Sequence, residues 1–251
     1  MEFGLTVGDS LERIGAADPR YDFLELSIGD SFLSPTTIDV DRLADRLDGR
    51  ELYVHLPFDQ PVVTHVPEVN DAIVEYQSRL LSWAGEVGAR KAVLHATTAD
   101  RDDVDLRDRF ATQLEAILAA GERAGVEVVV ENVGHQHRGV QLSVLGTAAG
   151  EADAPLCFDV GHAYMEADND GIARFLRSHG DRVSHLHVHD ARRRGDTHLP
   201  VGAGEIDFGL LTEHLPTFDG SVAVEVFTED AALLWDSIDR VRRQFDPGDQ
   251  S

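Results

Sequence analysis

The sequence is poor in lysine, cysteine and long apolar runs. Of the 22 basic residues only Lys91 is a lysine, and Cys157 is the single cysteine, so no internal disulfide can form. No apolar run approaches the roughly 20 residues of a membrane-spanning helix. The start, Met1-Glu2-Phe3-Gly4, lacks the charged and apolar blocks of a signal peptide. We therefore expect a cytoplasmic protein that does not cross a membrane.

Acidic residues, in contrast, are abundant: Asp and Glu total 46, and the formal net charge is −24. Such a surface repels itself at low salt, whereas molar salt shortens the Debye length to about 3 Å. The composition predicts a halophilic protein from a salt-rich cytoplasm. The alternative is an acidic surface that binds a cationic partner. Beyond Arg192–Arg194 there is no basic stripe, and phosphate contacts by Lys and Arg dominate DNA binding, so duplex DNA is a doubtful partner.

Short apolar, β-branched runs alternate along the chain with longer stretches of helical period, as in repeated βα units. The predicted strands are Glu2–Thr6, Phe23–Ser27, Leu52–His55, Ala92–His95, Glu127–Glu131, Leu156–Asp159, Ser184–His189 and Ala223–Val226. Predicted helices between and after them include Asp71–Val87, Asp105–Ala124, Gly171–His179 and Ala231–Phe245.

Eight strands with eight following helices predict an α/β fold, a (β/α)₈ TIM barrel. A doubly wound open sheet would carry a phosphate-binding glycine fingerprint after its first strand, and Val7-Gly8-Asp9-Ser10 is not one. Because no proline- or serine-rich linker interrupts the pattern, we expect residues 1–251 to form one domain.

Histidines and carboxylates recur at or just after the ends of the predicted strands from the third onward. Active sites of TIM barrels are built at the C-terminal ends of the strands, and buried groups of this kind survive there by pairing or by binding metal. Each one alone also fits a hydrogen-bonded structural residue, a salt-bridge partner or a loop polar group, but their recurrence on separate strands predicts a shared metal site. The candidate ligands are His55, His95, Glu131, Asp159, His162, His187, Asp196, His198 and Glu225. Mixed imidazole and carboxylate ligands favour zinc, manganese or iron over calcium or magnesium, and we expect zinc or manganese.

These residues give the sequence a resemblance to the xylose isomerase-like TIM-barrel superfamily, which contains sugar (phosphate) isomerases and epimerases together with endonuclease IV. The likeness runs from Glu2 to about Phe245. It is strongest in Cys157-Phe-Asp-Val-Gly-His-Ala163 and in the block from His187-Val-His-Asp190 to Asp196-Thr-His-Leu-Pro-Val-Gly-Ala-Gly-Glu-Ile-Asp-Phe208. The resemblance implies a (β/α)₈ barrel with metal ions at its mouth.

Carried over residue by residue, the resemblance implies two possible metal sites. In an endonuclease IV-like trinuclear site, His55, His95 and Glu131 would hold one ion, Glu131, Asp159, His187 and Glu225 a second, and His162, Asp196 and His198 a third. In the isomerases and epimerases a single ion would lie on Glu131, Asp159, His187 and Glu225. There Glu131 and Glu225 would act as acid and base, and Arg193, or else Arg192 or Arg194, would contact substrate.

The ligand set leads us to expect two to three zinc or manganese ions and hydrolysis of a phosphoester in a sugar phosphate or abasic-type substrate. The alternative is a sugar or sugar-phosphate isomerase or epimerase that works through an enediol. A third possibility is a metal-binding protein without catalysis. The first βα loop lacks the glycine- and histidine-containing DNA loop of endonuclease IV, and Leu56–Gln60 does not clearly reproduce its wedge, so a small phosphorylated or sugar substrate is expected.

Overall fold

The computed structural model describes residues 1–16, 20–134, 138–193 and 195–245, without the side chains of residues 14–16. Arg194, one of the three candidate substrate-binding arginines, lies outside the described residues. So do residues 246–251. All nine predicted metal ligands lie within the described residues.

Eight parallel strands close into a barrel, which confirms the predicted (β/α)₈ fold. Each neighbouring pair is in parallel register, and the last strand in the chain pairs with the first to close the sheet. Strands β1 to β7 are Glu2–Gly8, Phe23–Ser27, Glu51–His55, Lys91–His95, Glu127–Glu131, Leu156–Asp159 and Val183–Val188, and the eighth barrel strand, β10, is Ser221–Val224. The predicted strand ranges agree with these to within two residues.

A helix follows each barrel strand, and several of these helices have capping residues at their ends. Asp103 caps α4 by accepting from the backbone N–H of Asp105, and Gly125 ends that helix in the left-handed conformation. Helix α6 contains a kink at Ala167 and Asp168. The helices α1 to α8 are Leu11–Ala16, Val40–Leu47, Pro67–Glu86, Val104–Ala124, Leu142–Glu151, Val160–His179, Gly209–His214 and Ala231–Phe245.

A two-stranded antiparallel hairpin, β8 (Asp190–Arg192) and β9 (Gly195–Leu199), lies between β7 and α7. The sequence pattern does not predict it. Asp190 anchors the segment that follows, because its buried carboxylate accepts from the backbone N–H groups of Gly202, Gly204 and Ile206. The hairpin therefore holds Asp196 and His198 over the mouth of the barrel.

The apolar core has two parts. The main part fills the space between barrel and helices, and smaller clusters fill the barrel interior, one of them formed by Phe23, Tyr53 and Ala223. Gly4 faces this cluster, where a Cβ atom would lie 2.3 Å from the Phe23 ring, so no larger residue fits. Among the described residues no helix is both long and apolar enough to cross a membrane.

We expect the free energy of unfolding to rise steeply with salt, because screening relieves repulsion on a chain of net charge −24. The melting temperature would be measured in potassium chloride from about 0.1 M to about 3 M. Over this range the Debye length falls from about 10 Å to below about 3 Å. Sodium chloride at the same ionic strengths is the control for ion identity. A melting temperature that stays constant across the range would contradict the interpretation of the composition as halophilic.

Candidate metal centre and active site

The nine predicted ligands lie together at the C-terminal mouth of the barrel. Seven come from the barrel strands or the residues just after them, and two come from hairpin strand β9. Glu131 is at their centre, with its carboxylate 1% exposed. Its Oε2 lies 3.2 Å from His55 Nε2 and 3.1 Å from His95 Nε2, while its Oε1 lies 3.4 Å from His162 Nδ1 and 3.5 Å from His187 Nδ1. This one carboxylate therefore contacts ligands that lie on or just after four other strands.

Among the described residues, four groups of side chains each converge tightly enough to hold an ion. Two of them have three members: His55, Glu131 and His187, and Cys157, His185 and His187. The other two have four members each. The first is formed by Glu131, Asp159, His187 and Glu225, whose ligand atoms all lie within 4.8 Å of one another. The second is formed by His162, His189, Asp196 and His198 under the same limit. The second group includes His189, which the predicted ligand set does not contain. We call the group of Glu131, Asp159, His187 and Glu225 the floor cluster, and the group of His162, His189, Asp196 and His198 the hairpin cluster.

Several of the imidazoles use one ring nitrogen for a backbone carbonyl and turn the other toward a carboxylate. His55 Nδ1 lies 2.8 Å from the carbonyl oxygen of Leu56, and its Nε2 faces Glu131. His198 Nδ1 lies 2.9 Å from the carbonyl oxygen of Glu225, and its Nε2 is 3.0 Å from Asp196 Oδ1. Such backbone contacts fix which nitrogen keeps a lone pair for a metal ion.

Hydrogen bonds to backbone atoms also hold Asp159, the last residue of β6, and Asn132, the first residue after β5. The Asn132 side chain donates to the carbonyl oxygen of Asp159 and accepts from its N–H, both at 2.8 Å. Asp159 Oδ1 accepts from the backbone N–H of His162 at 2.6 Å and so caps helix α6. The carboxylate is thus held at the helix N-terminus, where the dipole favours negative charge.

The charges of this site shift pKa values strongly. Burial raises the pKa of Glu131, but the neighbouring charges of His95 and His187 outweigh it and hold that pKa well below the usual range. Burial lowers the pKa of His187, but Cys157, Glu25 and other acidic neighbours raise it well above its ordinary value. The pKa of His198 rises to about 9 because its charge interaction with Glu225 and its hydrogen bond to Asp196 overcome burial. Without a metal ion, protons on His162, His187 and His198 balance the carboxylates, whereas burial lowers the pKa of His95.

The floor cluster fits a divalent cation by its donor set and by its unsatisfied atoms. Asp159 Oδ2 and His187 Nδ1 are buried and, within the described part of the chain, make no hydrogen bond. His187 Nδ1 lies 3.2 Å from Glu225 Oε2 and 3.9 Å from Asp159 Oδ2, close in distance but without hydrogen-bond geometry. A cation between these atoms would satisfy them, as buried polar groups require.

A cavity of about 360 Å³ opens above the two clusters, within the range of small-molecule sites. Its floor includes Glu131 and Glu225, and its rim carries three phenylalanines: Phe32, Phe58 and Phe227. Phe227 is 63% exposed and stacks on His198 at a centroid distance of 3.9 Å. A larger cavity of about 630 Å³ lies at the opposite mouth, but its lining includes Lys91 and Glu127, which pair with each other. None of the nine predicted ligands lines this larger cavity, whereas several of them line the smaller one.

Arg193, the predicted substrate-binding residue, lies on the turn between β8 and β9. It is exposed, forms an ion pair with Asp168 at the kink of α6, and is not among the residues that line the cavity. Arg192 is exposed and donates to the carbonyl oxygen of Ala203. Substrate binding by Arg193 stays a prediction.

Sequence reasoning missed Glu25, a fully buried carboxylate in the middle of β2. It lies below the floor cluster and contacts both His185 and His187. A signal was present, because strands of a parallel barrel are buried on both faces and a charge in Phe-Leu-Glu-Leu-Ser must therefore be paired.

The chain is similar to several curated proteins over most of its length. An uncharacterized protein of Methanocaldococcus jannaschii is 27% identical over 232 residues, covering 86% of this chain and 78% of the relative. An L-ribulose 3-epimerase of Methylomonas sp. is 24% identical over 230 residues, covering 86% of this chain and 77% of the relative. The prediction that the protein is an enzyme is confirmed by epimerases of this kind among its relatives.

A solved structure described as a D-tagatose 3-epimerase-like protein has the same fold. It superposes with a TM-score of 0.78 at 21% identity, covering 98% of each chain. The family described as xylose isomerase-like TIM barrel matches residues 14–245, which confirms the resemblance noted from the sequence. With nearly the whole barrel matched, the protein belongs to the xylose isomerase-like TIM-barrel family.

Proposed function

We propose that the protein is a metal-dependent epimerase or isomerase of a sugar that carries a carbonyl group. The observation that carries this proposal is the floor cluster, in which two glutamates share one ligand group and bound the same cavity. The similarity to an L-ribulose 3-epimerase supports this alternative over phosphoester hydrolysis.

Glu131, Asp159, His187 and Glu225 would hold the cation. A divalent cation bound there would act as a Lewis acid that polarises the substrate carbonyl and orients its neighbouring oxygen. Glu131 and Glu225 each have two carboxylate oxygens, so each can face the cation with one and the substrate with the other. Both carboxylates are ionised near neutral pH because their pKa values are lowered, which suits a general base.

The proton transfer balances without any further reactant. One glutamate takes the proton from the carbon next to the carbonyl, and the electron pair moves into an enediolate. The other glutamate first takes up a proton from solvent, against its lowered pKa, and returns it to the opposite face of that carbon. In an isomerisation that proton goes instead to the former carbonyl carbon, and the proton of the neighbouring hydroxyl moves to the former carbonyl oxygen. The aromatic rim of Phe32, Phe58 and Phe227 would limit water at the reacting carbon.

Phosphoester hydrolysis is the second candidate because of the hairpin cluster. His162, Asp196 and His198 line the same cavity as Glu131 and Glu225, and an epimerase with one ion needs none of the three as ligands. A second or third ion there would allow closely spaced cations to generate hydroxide and stabilise displacement at phosphorus. His198→Ala separates the two candidates, since it removes a ligand of the hairpin cluster and leaves the floor cluster complete.

We expect the wild-type enzyme to exchange a carbon-bound proton of a ketose with solvent. The protein would be incubated in deuterium oxide and high salt, with manganese or zinc, against free ketopentoses and ketohexoses, their phosphates, and small phosphodiesters. Proton NMR would follow deuterium entry next to the carbonyl together with the new epimer. His198→Ala should retain most of this exchange. Phosphoester cleavage without exchange, abolished by His198→Ala, would instead establish the second candidate.

A further inference from the structure

Glu25 is fully buried in the barrel interior, one layer below the floor cluster. A buried carboxylate is costly unless hydrogen bonds satisfy it. Glu25 has three donors around it: Thr6 Oγ1 is 3.3 Å from Oε1, His185 Nε2 is 3.1 Å from Oε2, and His187 Nε2 is 3.1 Å from Oε1 and 3.2 Å from Oε2. The carboxylate can only accept, so the ring nitrogens that face it carry protons.

This arrangement determines the tautomer of neutral His187, the only imidazole of the floor cluster. With its Nε2 proton donated to Glu25, the neutral ring keeps its lone pair on Nδ1. That nitrogen points to the oxygens of Glu225 and Asp159 and makes no hydrogen bond of its own within the described residues. In the neutral ring this lone pair faces carboxylate oxygens, and either a proton or a metal cation on Nδ1 removes the repulsion.

His185 holds Glu25 in place from the other side. Its Nε2 donates to Glu25, and its Nδ1 lies 2.7 Å from Ser221 Oγ on the last barrel strand. The Glu25 carboxylate is therefore fixed between strands β1 and β7, and it does not line the cavity. Its contacts reach the floor cluster through His187 and the wall of the cavity through Thr6.

We propose that Glu25 is a positioning residue that keeps the proton of His187 on Nε2 and thereby directs Nδ1 to the cation of the floor cluster. The inference rests on the proposed function only in requiring that this cluster binds a divalent ion. Partners of this kind fix the orientation and raise the basicity of a histidine ligand, and their loss costs about 10–100-fold in metal affinity.

Zinc affinity of two variants tests the proposal, measured by competition with a chromogenic chelator. Glu25→Met keeps the approximate shape but offers no acceptor, and it should weaken zinc binding by about 10–100-fold. Glu25→Gln keeps one acceptor oxygen without the charge, and its affinity should fall between that of Glu25→Met and wild type. If Glu25 served packing alone, both folded variants would bind zinc as tightly as wild type, and that result would overturn the proposal.

Ser221→Ala is the matched control, because it disrupts the same buried network at His185 and leaves the Glu25–His187 pair in place. Its zinc affinity should stay near the wild-type value. Circular dichroism would confirm that each variant is folded. A loss in Ser221→Ala equal to that in Glu25→Met would show that any damage to the network weakens the site, and the specific role of Glu25 would be rejected.

The wild-type protein gives a test that needs no Glu25 variant. Nitrogen-15 NMR of the zinc-loaded protein, with His187 assigned by its loss in His187→Gln, should show the proton on Nε2 and the metal on Nδ1. A proton on Nδ1 would overturn the positioning role even with normal zinc binding, and the proposed function would survive. Failure of the wild-type protein to bind zinc, manganese or any other divalent ion would contradict both the positioning role of Glu25 and the proposed function.

Discussion

Replacing Glu131 with glutamine is expected to lower turnover by about 10²–10⁴-fold or more, because proton transfer by a positioned side chain contributes about that much. The same change removes the charge that four imidazoles surround, three of them within 3.4 Å of its carboxylate oxygens. The amide keeps the shape of the side chain, so the barrel should remain folded. The amide nitrogen of glutamine directs an N–H group toward at least one imidazole nitrogen, and the amide nitrogen itself cannot bind a cation.

Solvent-proton exchange into the ketose, metal content and circular dichroism would be measured for Glu131→Gln beside Glu127→Gln. The control residue lies on the same strand at the opposite mouth, where it pairs with Lys91 and accepts from Ser184. Its replacement should cost stability at most and leave exchange intact. Near-normal turnover in Glu131→Gln would place the proton chemistry elsewhere in the cavity.

The barrel could be predicted from the sequence because its signals are local. Runs such as Glu127–Glu131 are short, β-branched and followed by helical periods, and the structure has a strand with those bounds. The β8–β9 hairpin could not be predicted this way. Gly195-Asp-Thr-His-Leu199 is polar and irregular in pattern, and its extended conformation is stabilised by antiparallel pairing with β8.

The ligands of the site could be predicted because parallel strands end at one mouth, so residues far apart in sequence must meet there. Glu25 could not be placed in the same way. It lies in the middle of a strand rather than at its end, and its partners His185 and His187 are 160 and 162 residues away. Only the register of β2 and β7 across the closed barrel shows that they touch.

A ligand set does not by itself determine the reaction. Nine converging ligands led to an expectation of two to three ions and phosphoester hydrolysis, yet the relatives support the alternative of sugar epimerisation. The same carboxylates serve both, since Glu131 can bridge two ions or move a proton. The difference lies in whether a second ion occupies the hairpin cluster, and no count of ligands in the sequence decides that.

Metal affinity is expected to fall steeply as the pH falls from about 9 to about 6. In the metal-free protein the pKa values of His162 and His187 are raised well above normal, against the opposing effect of burial, by acidic neighbours that include Asp159 for His162 and Glu25 for His187. The pKa of His198 is about 9. A metal ion binds the neutral ring, so below each raised pKa it must displace a proton. Each proton displaced costs about tenfold in affinity, or about 1.4 kcal/mol, per pH unit.

Calorimetric titration with zinc or manganese at pH 6, 7, 8 and 9 would measure this dependence, and buffers of different ionisation enthalpy would count the protons released. An ion in the floor cluster alone should release up to one imidazole proton, that of His187, because its other three ligands are carboxylates of lowered pKa that are already ionised. Occupation of the hairpin cluster would add protons from His162 and His198, and His198→Ala should remove the latter. Affinity that is flat across this range, with no proton released, would show that the imidazoles are already neutral without metal, contrary to the charges that surround them.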